Sequence, residues 1–505
     1  MSRPPPSPIA TEHGTLLRRA PRELVLCYPN TYRVAASSLG MQVVYRALNS
    51  RPGLTCQRAV LPDDFGAGPQ ERPLLSLEHG MGLDQFDAIL FSIAYELDLP
   101  HLAAMLAAAG LDPLAANRGP EDPPVIAGGP LTQSNALPLG AFADVVAIGE
   151  AEDVLDALAA WLEAGVSRDE LMALAVNLPG LWVPSIHGDA VPNALGAGGE
   201  HVPARGQWWS PDAEFKNMAL LEAARGCPRY CRFCVVRAPV SPMRSPPLQR
   251  VIDALDCEPY LSAPRVGFVG AAVTDWPDIA GALQAALDRG KGIGISSLRA
   301  DRLDGEFVEL LRRGGYRTLT VASDAASQRL RGKMMKGLRE RHLVAAAELA
   351  REAGMRLFKM YVILGLPDET DADIDELIDL CLRLSGRIST AITISPFVPK
   401  LHTPLADAAY TAIPVMDARL KRVRRALGGR VDVRFDSPKW AWVQYRLSQG
   451  GVAAGELAWR VWQKGGGFAA WRKGFAELDA RAEHAERAAL VAGQRHLLWD
   501  VAGAR

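Results

Sequence analysis

Short apolar runs alternate with longer segments of helical spacing along the first third of the chain. Five runs rich in Val, Ile and Leu predict buried strands, at Leu24–Cys27, Thr55–Val60, Ala88–Ile93, Val125–Ala127 and Asp144–Ile148. Amphipathic helices are predicted between them, at Ala36–Asn49, Leu97–Ala109 and Glu152–Glu163. Alternating strands and helices favour a parallel, doubly wound sheet. We therefore predict a doubly wound α/β domain over residues 21–165, preceded by a flexible, Pro-rich tail at residues 1–20.

The same alternation begins again near residue 216 and continues to about residue 410. Six strands are predicted, at Met218–Ala223, Arg265–Val269, Gly292–Ser296, Arg317–Ala322, Arg356–Leu364 and Ala391–Pro396. The helices between them are predicted at Leu248–Leu261, Ile279–Asp288, Glu306–Arg313, Arg341–Ala353 and Ile374–Leu384. A closed barrel needs about eight such units. Six units therefore favour an open, partial (βα)6 barrel over residues 216–410.

Two further regions complete the predicted organisation. Residues 166–215 contain several turns and an apolar patch, which predict a connector packed against both domains. After residue 411 the pattern is helical and rich in Trp, so residues 411–505 are predicted to form a small, mainly helical C-terminal domain. A chain of 505 residues is long enough for several domains, each with its own core.

The composition narrows the class of protein. Lys and Arg number 56 against 57 Asp and Glu, a formal net charge of −1, so no overall charge attracts nucleic acid or an anionic membrane. No apolar run is long enough to cross a bilayer, and the N-terminus lacks the pattern of a secretory signal. We therefore expect a cytoplasmic protein without membrane or nucleic-acid partners.

Three of the seven cysteines, Cys227, Cys231 and Cys234, lie in the segment GCPRYCRFC just after the first predicted barrel strand. Three thiolates can hold three irons of a [4Fe–4S] cluster and leave the fourth iron open to an exogenous ligand. The alternative, a structural zinc site, needs a fourth ligand at regular spacing, and no Cys-x2-Cys or His-x3-His pair follows. Cys257 falls in a predicted helix, where we expect a buried apolar residue. The spacing therefore favours an iron–sulfur cluster.

The cysteine motif, its position after the first strand of a partial barrel, and Phe233 before the third cysteine resemble the radical SAM superfamily over residues 216–400. The resemblance implies a [4Fe–4S] cluster on Cys227, Cys231 and Cys234, with S-adenosylmethionine (SAM) chelating the open iron. One-electron reduction would then cleave SAM to methionine and a 5′-deoxyadenosyl radical, in a pocket that excludes water. It also implies an electron donor such as ferredoxin or flavodoxin, and a small-molecule or peptide substrate.

The ends of the third and fourth barrel strands carry residues that the resemblance assigns to SAM binding. Ser296, Ser297 and Arg299 follow the third strand, where the family commonly has polar groups for the SAM ribose and carboxylate. A plain surface charge remains the alternative for Arg299. Asp324 ends the fourth strand, where related proteins often carry a carboxylate.

The second and fifth strands supply the remaining candidate SAM contacts. Ile363 and Gly365 belong to the segment VILGLPDET, which is similar to the family's adenine-side segment. The Gly-Gly-Glu that often follows the second strand is missing here, and only Gly270 of it remains. Thr274 and Asp275 are the alternatives for holding the SAM amino group.

The N-terminal domain resembles the cobalamin-binding subgroup of the superfamily, with a Rossmann-like sheet before the barrel. The matching residues are Tyr32 in YPNTY, Gly128 and Gly129 in GGP, and Glu150 in ADVVAIGEAE. Glycines at such a turn let the backbone approach a large flat ligand. No Asp-x-His-x-x-Gly motif is present, so the resemblance implies cobalamin without a histidine from this domain on cobalt. The alternative is a purely structural Rossmann-like domain.

Together these resemblances favour a cobalamin-dependent radical SAM methyltransferase that acts at an unactivated carbon. One alternative is a radical SAM enzyme that catalyses another radical modification without cobalamin. Another is a non-catalytic sensor that binds SAM or a corrinoid. Lys400 and His402 follow the last predicted barrel strand and could face the substrate, although a structural role competes for His402.

Overall fold

The N-terminal part of the protein is a doubly wound sheet in a computed structural model that describes residues 8–66, 73–237, 242–296 and 298–480. Its strands β1 to β6 are Arg22–Thr31, Leu54–Leu61, Ala88–Ser92, Val125–Gly128, Val145–Ala147 and Leu181–Trp182. The strand order is β2-β1-β3-β4-β5-β6, and β6 alone among them runs antiparallel to its neighbour. The order reverses between β1 and β3, which is the switch point where such sheets bind ligands at their carboxyl edge.

Helices cover both faces of this sheet. The helices α1 to α6 are Tyr32–Ala35, Leu39–Asn49, Leu99–Ala108, Glu152–Ala164, Arg168–Ala175 and Pro184–His187. Along β1, Leu24 and Leu26 share a core with α2 and α4, whereas Val25 and Cys27 share one with α3. Burial on both faces explains why the strands are continuous apolar runs in the sequence. The predicted doubly wound fold is confirmed.

Seven parallel strands form the barrel part of the chain. The strands β7 to β13 are Met218–Ala224, Arg265–Gly270, Gly292–Ile295, Thr318–Ala322, Leu357–Leu364, Thr390–Pro396 and Val431–Phe435. They form one sheet of β7-β8-β9 and another of β10-β11-β12-β13. A parallel bridge between Leu298 and Val321 joins the two sheets. The predicted partial barrel is thus present, and β13 adds a seventh strand to the six predicted from sequence.

The sequence pattern did not predict the seventh strand because this strand lies at the edge of the sheet. β13 pairs only with β12 within the described residues, and its sequence Val-Asp-Val-Arg-Phe exposes both charged side chains. Such an edge strand buries too little apolar surface to give a clear pattern. The surrounding helices α7 to α13 are Leu248–Leu255, Ile279–Asp288, Gly305–Arg313, Gln328–Lys333, Glu340–Glu352, Asp371–Ser385 and Ile413–Leu427.

Helix α7 ends earlier than the sequence pattern predicts. It stops at Leu255 instead of Leu261, and Cys257 lies beyond it with an exposed side chain. Pro259 follows closely, and a proline cannot donate the backbone hydrogen bond that would continue the helix. The expectation that Cys257 is a buried helical residue is therefore wrong.

The last helices return to the N-terminal sheet. Helices α14 to α16 are Pro438–Ser448, Val452–Gln463 and Phe468–Asp479. Leu457, Val461 and Trp471 from these helices are buried in the same core as α3 and one face of β1, β3 and β4. The predicted connector also joins this sheet, because it contributes β6. The C-terminal helices thus hold the N-terminal sheet beside the barrel.

A membrane crossing needs a helix that is both long and apolar. None of the helices within the described ranges meets these requirements.

Candidate functional site

The three clustered cysteines lie in the loop that follows β7, at the carboxyl edge of the barrel sheet. All three thiols are free; Cys231 is buried, and Cys227 and Cys234 are half-buried. The backbone N–H of Arg232 donates to the carbonyl of Met334 over 3.0 Å, and the N–H of Cys234 donates to the carbonyl of Cys231 over 3.2 Å. The first bond holds the loop against the segment that follows α10, and the second lies within the loop.

The surroundings of this loop disfavour unligated thiolates. Burial raises the pKa of Cys234 to about 11, and the neighbouring thiols Cys231 and Cys227 act in the same direction. Burial also raises the pKa of Cys231, although the nearby cation of Lys336 opposes it. The thiols are close enough to repel one another as anions. Cationic metal centres would offset both the burial and the repulsion.

The donor set, three thiols on one short loop, fits a cubane. Among the described residues, no three His, Cys, Asp or Glu side chains are grouped to hold one metal ion. The cysteine ligands of a [4Fe–4S] cluster each bind a different iron, so their sulfurs do not converge on one point. Three thiols on one short loop therefore match three irons of a cubane, with the fourth iron left to another ligand.

Two predicted SAM contacts, Gly270 and Ser296, are neighbours at the ends of β8 and β9. The Ser296 hydroxyl donates to the Gly270 carbonyl over 3.1 Å. A Cβ atom at position 270 would lie 2.6 Å from the carbonyl oxygen of Ala224, so close packing of β7 on β8 requires glycine there. Phe233 is partly buried against the barrel core. Ser297, which the sequence also indicated, lies outside the described residues.

Charged side chains form one wall beside the cysteine loop. Arg299 is buried, donates to both carboxylate oxygens of Asp301 over 3.1 and 3.0 Å, and also donates to the carbonyl of Lys336 over 2.9 Å. The Lys336 ammonium pairs with Asp324. The charges of Lys336 and Arg299 lower the pKa of Cys231, and the charge of Asp324 raises it. Arg299 is therefore not a surface charge, and the structure brings it together with Asp324 beside the cysteines.

The loop after β11 begins with the two predicted adenine-side residues, Ile363 and Gly365. Ile363 is partly buried against the barrel core. Gly365 has a φ of +87°, and a Cβ atom there would lie 2.5 Å from the terminal methyl of Met416 in α13. The backbone conformation favours glycine at this position, whereas the flexible side chain of Met416 could move away from a Cβ atom.

The same loop contains a buried carboxyl group. Glu369 accepts from the backbone N–H of Gly365 and from Arg419, through one oxygen, over 2.9 and 2.8 Å. Its other oxygen, Oε2, is buried without a hydrogen-bond partner, and burial raises the pKa of Glu369 to about 7. Arg419, in α13, was missed by the sequence reasoning because its helix has an ordinary amphipathic pattern.

A largely apolar cavity of about 300 Å³ opens at the carboxyl edge of the N-terminal sheet, between the sheet and helices α2 and α4. Apolar side chains from both layers line it, including Leu26, Val43, Leu90, Ile126 and Leu155. Such a lining suits a flat apolar or aromatic group. The cavity is closed on one side by Glu222 and Arg225 from the start of the barrel.

Three of the four residues that suggested a cobalamin site line this cavity. Gly128, Gly129 and Glu150 contribute to its wall. Gly129 has a φ of +108°, and a Cβ atom there would lie 2.7 Å from the carbonyl oxygen of Ile93. Tyr32 is not among the lining residues described; its hydroxyl donates to Glu12 over 2.7 Å. The structure therefore separates Tyr32 from the other three.

A network of ion pairs connects the cavity to the cysteine loop. The guanidinium of Arg225 contacts Glu150 over 3.0 Å, Glu152 over 2.8 Å and Glu222 over 2.8 Å. Arg244 contacts Glu150 over 2.5 Å. Burial alone would raise the pKa of Glu150, but hydrogen bonds from Arg244 and Arg225 hold it below its ordinary value. Arg225 stands two residues before the first clustered cysteine, and no sequence motif had indicated it.

Buried carboxyl groups also lie after β3, at the switch point. Glu96 pairs with the ammonium of Lys400 and accepts from Gln444 over 2.9 Å. Asp98 accepts a long hydrogen bond of 3.4 Å from Asn30, and burial raises the pKa of Asp98 to about 7. Lys400 thus joins the barrel to the N-terminal sheet. His402, two residues on, is largely buried, and burial lowers its pKa.

Two family models match separate ranges of the chain. Residues 40–184 match a family model described as radical SAM proteins, N-terminal, and residues 221–381 match the model of the radical SAM superfamily. An uncharacterized protein of Methanocaldococcus jannaschii is 29% identical over 399 residues, which cover 76% of this chain and 78% of that protein.

Two solved structures share the fold over most of this chain. One is TsrM from Kitasatospora setae, described as a radical S-adenosylmethionine methyltransferase with cobalamin and a [4Fe–4S] cluster bound. It gives a TM-score of 0.56 at 13% identity, over 90% of this chain and 99% of TsrM. The other is OxsB, described as a cobalamin-dependent S-adenosylmethionine radical enzyme with aqua-cobalamin bound. It gives a TM-score of 0.50 at 13% identity, over 74% of this chain and 53% of OxsB. At this identity the likeness is one of fold.

Proposed function

The chain belongs to the radical SAM superfamily, and from this premise we propose that it is a cobalamin-dependent methyltransferase acting at an unactivated carbon. Cys227, Cys231 and Cys234 would hold a [4Fe–4S] cluster, which would supply the electron for SAM cleavage, and a bound corrinoid would supply the methyl group. The observation that carries the proposal is the apolar cavity at the carboxyl edge of the N-terminal sheet, which adjoins the cysteine loop through Arg225.

The residues of the barrel would bind and shield the SAM half of the site. Cys227, Cys231 and Cys234 would hold the cluster, and their loop is held in place by backbone hydrogen bonds. The loop that carries Ile363 and Gly365 would lie beside the adenine, as its similarity to the family's adenine-side segment implies. The partly buried ring of Phe233 would help to exclude water from the reactive species.

The N-terminal cavity would bind part of the corrinoid. Its volume of about 300 Å³ is too small for a corrin ring, but it suits the flat aromatic base of a nucleotide tail. Gly128 and Gly129 would let the rest of the ligand approach the backbone at the edge of the sheet. The fold shared with TsrM, whose structure has cobalamin bound, supports a corrinoid as the ligand.

The test is anaerobic reconstitution with iron, sulfide and hydroxocobalamin, followed by an optical spectrum and by analysis of SAM products after dithionite reduction. We expect corrinoid absorbance that stays with the protein, an iron–sulfur chromophore, and 5′-deoxyadenosine. A chromophore and 5′-deoxyadenosine without retained corrinoid would contradict the methyl-transfer proposal and leave a radical SAM enzyme of another reaction. A corrinoid-bound protein that forms no 5′-deoxyadenosine would instead be a sensor.

A further inference from the structure

The inner face of the barrel strands β10 to β13 carries polar side chains, unlike their outer face. Along β11, Phe358, Met360 and Val362 are buried in the core shared with the helices. Side chains alternate along a strand, so Lys359 and Tyr361 point the other way, into the barrel, and Tyr361 is 36% exposed. The interior of a closed barrel is normally filled by bulky branched side chains. Here the inner face is instead open to a ligand.

The parallel register places polar residues of neighbouring strands in rows across this face. Tyr361 is opposite Thr393 of β12, and Thr393 is opposite Arg434 of β13. Lys359, two residues earlier along β11, lies one row deeper in the barrel and is opposite Thr320 of β10. Residues that are opposite each other in a parallel sheet point to the same side, so all five line the barrel interior.

The Lys359 ammonium and the Tyr361 hydroxyl form a pair of neighbouring donors. Lys359 Nζ donates to Tyr361 Oη over 3.2 Å and lies 4.7 Å from the centre of the tyrosine ring, which attracts a cation. Because the hydroxyl oxygen accepts this hydrogen bond, its own O–H and the remaining ammonium N–H groups are left to donate. The two side chains thus offer several donors and one positive charge to a single ligand group.

The charged groups of β13 and of its end already have partners. Arg434 pairs with Asp432 over 3.1 Å, and both side chains are more than half exposed. Asp436 accepts from the hydroxyl of Ser395 over 2.6 Å. By contrast, no carboxylate among the described residues forms an ion pair with Lys359. A cation without a counter-charge on the inner face favours an anionic ligand, since charge complementarity selects the partner.

The position of Tyr361 connects this pair to the reactive part of the site. The carbonyl of Tyr361 accepts from the backbone N–H of Asp324 over 3.2 Å, and Asp324 belongs to the charged wall beside the cysteine loop. Along β11, Tyr361 lies two residues before Ile363, which is about 7 Å at the usual rise of a strand. A small molecule held at Lys359 would therefore reach the carboxyl edge, where SAM is proposed to bind.

We propose that Lys359 and Tyr361 bind an anionic group, a carboxylate or a phosphate, of a small-molecule substrate. The inference rests on the proposed function and names the class of its substrate. The anion would lie inside the barrel, and the carbon to be methylated would extend from it toward the carboxyl edge. No bond forms or breaks at the anion, so both side chains act in binding and in orienting the substrate.

The first measurement is anion binding, which requires no turnover. Reconstituted protein with SAM is titrated with inorganic phosphate, followed by phosphorus NMR line width, and with carbon-labelled acetate, followed by carbon NMR line width. We expect Lys359→Met to raise the Kd of at least one of the two ions at least tenfold, and the ion affected identifies the group. Lys359→Arg keeps the charge and should change the Kd less than threefold. The control Lys473→Met, whose side chain is 81% exposed on α16, should do the same.

Tyr361→Phe removes one donor and keeps the charge, so the Kd should rise severalfold. Equal affinities of the wild type and Lys359→Met for both ions would overturn the inference. So would the absence of saturable binding by the wild type.

The second measurement locates the ion. The wild-type protein is acetylated with a limiting amount of an activated ester, and the modification of each lysine is read from peptide masses. We expect the ion that binds to protect Lys359 at least fivefold and to leave Lys473 unchanged. Protection of other lysines without protection of Lys359 would overturn the inference. If the wild type bound the ion but formed no 5′-deoxyadenosine after dithionite reduction, the proposed function would fail while the binding result stood.

Discussion

The guanidinium of Arg225 lies 3.0 Å from the carboxylate of Glu150. Glu150 lines the cavity of the N-terminal sheet, and Arg225 lies two residues before the first cysteine of the cysteine loop. One ion pair thus spans the two halves of the proposed site. It holds the wall of the cavity against the start of the cysteine loop.

Removal of Arg225 should destabilise the protein strongly. In the variant Arg225→Ala, Glu150, Glu152 and Glu222 would keep their buried or partly buried charges without this partner. Breaking such a pair from one side costs about 3–5 kcal/mol. We expect the free energy of unfolding in urea to fall by roughly 3 kcal/mol. Arg351→Ala, which removes an exposed pair, should change it by less than about 1 kcal/mol; equal effects would refute the buried network.

Substitution of one clustered cysteine should remove the cluster. Cys231→Ala deletes the buried ligand of the three. We expect loss of the iron–sulfur absorbance after anaerobic reconstitution and loss of 5′-deoxyadenosine formation. The exposed Cys257 provides the matched control, and Cys257→Ala should keep both signals. Retained SAM cleavage in Cys231→Ala would rule out the ligand assignment.

Glu369 should make stability depend on pH between about 4.5 and 7. Burial raises the pKa of this carboxyl group in the folded state to about 7 from an ordinary value of 4.5. The folded state therefore keeps its proton longer than the unfolded state does. The stabilisation is complete below pH 4.5 and is lost as the pH rises through 7; a shift of this size corresponds to about 3 kcal/mol.

The variant Glu369→Gln isolates this contribution, because a glutamine cannot ionise. We expect the stability of the wild type relative to the variant to decrease by up to about 3 kcal/mol from pH 4.5 to 8, measured by urea unfolding at several pH values. A difference between the two proteins that does not change with pH would show that the carboxyl group titrates normally.

A larger side chain in the N-terminal cavity should weaken corrinoid binding. Val43 lies on α2 and lines the cavity, so Val43→Trp would fill space that the proposed nucleotide base needs. We expect the Kd for hydroxocobalamin, followed by optical titration, to rise at least tenfold. Cobinamide, which lacks the nucleotide tail, should be affected much less. Val415→Trp, at an exposed position of α13, should leave both affinities unchanged. Equal losses for both corrinoids would place the base elsewhere.

Local patterns in the sequence were sufficient to predict much of the fold. Apart from the end of α7, the predicted strands and helices of both main parts are found within a few residues of their predicted ends, because continuous apolar runs and helical periodicity depend directly on burial. Cys227, Cys231 and Cys234 were recognisable because ligand spacing within one short loop is a local property. β13 was not recognisable, since an edge strand with exposed Asp432 and Arg434 has little apolar signal.

The roles of the partner residues could not be predicted. Arg225 and Glu150 are far apart in sequence. The residues next to Arg225 in the sequence do not indicate that it forms buried ion pairs. Tyr32 was grouped with Glu150 by resemblance, but its hydroxyl bonds to Glu12 in the N-terminal segment. Arg419 became part of the adenine-side loop only because α13 packs against Gly365.

The sequence by itself determined the two α/β parts, the order of their elements and the cysteine loop, because each depends on residues that are near neighbours along the chain. Only the tertiary structure decided that α15 closes the N-terminal sheet and that a cavity opens beside Arg225. The physical reason is that burial and ion pairing arise between segments that packing brings together. The local sequence of one segment does not indicate which distant segment will pack against it.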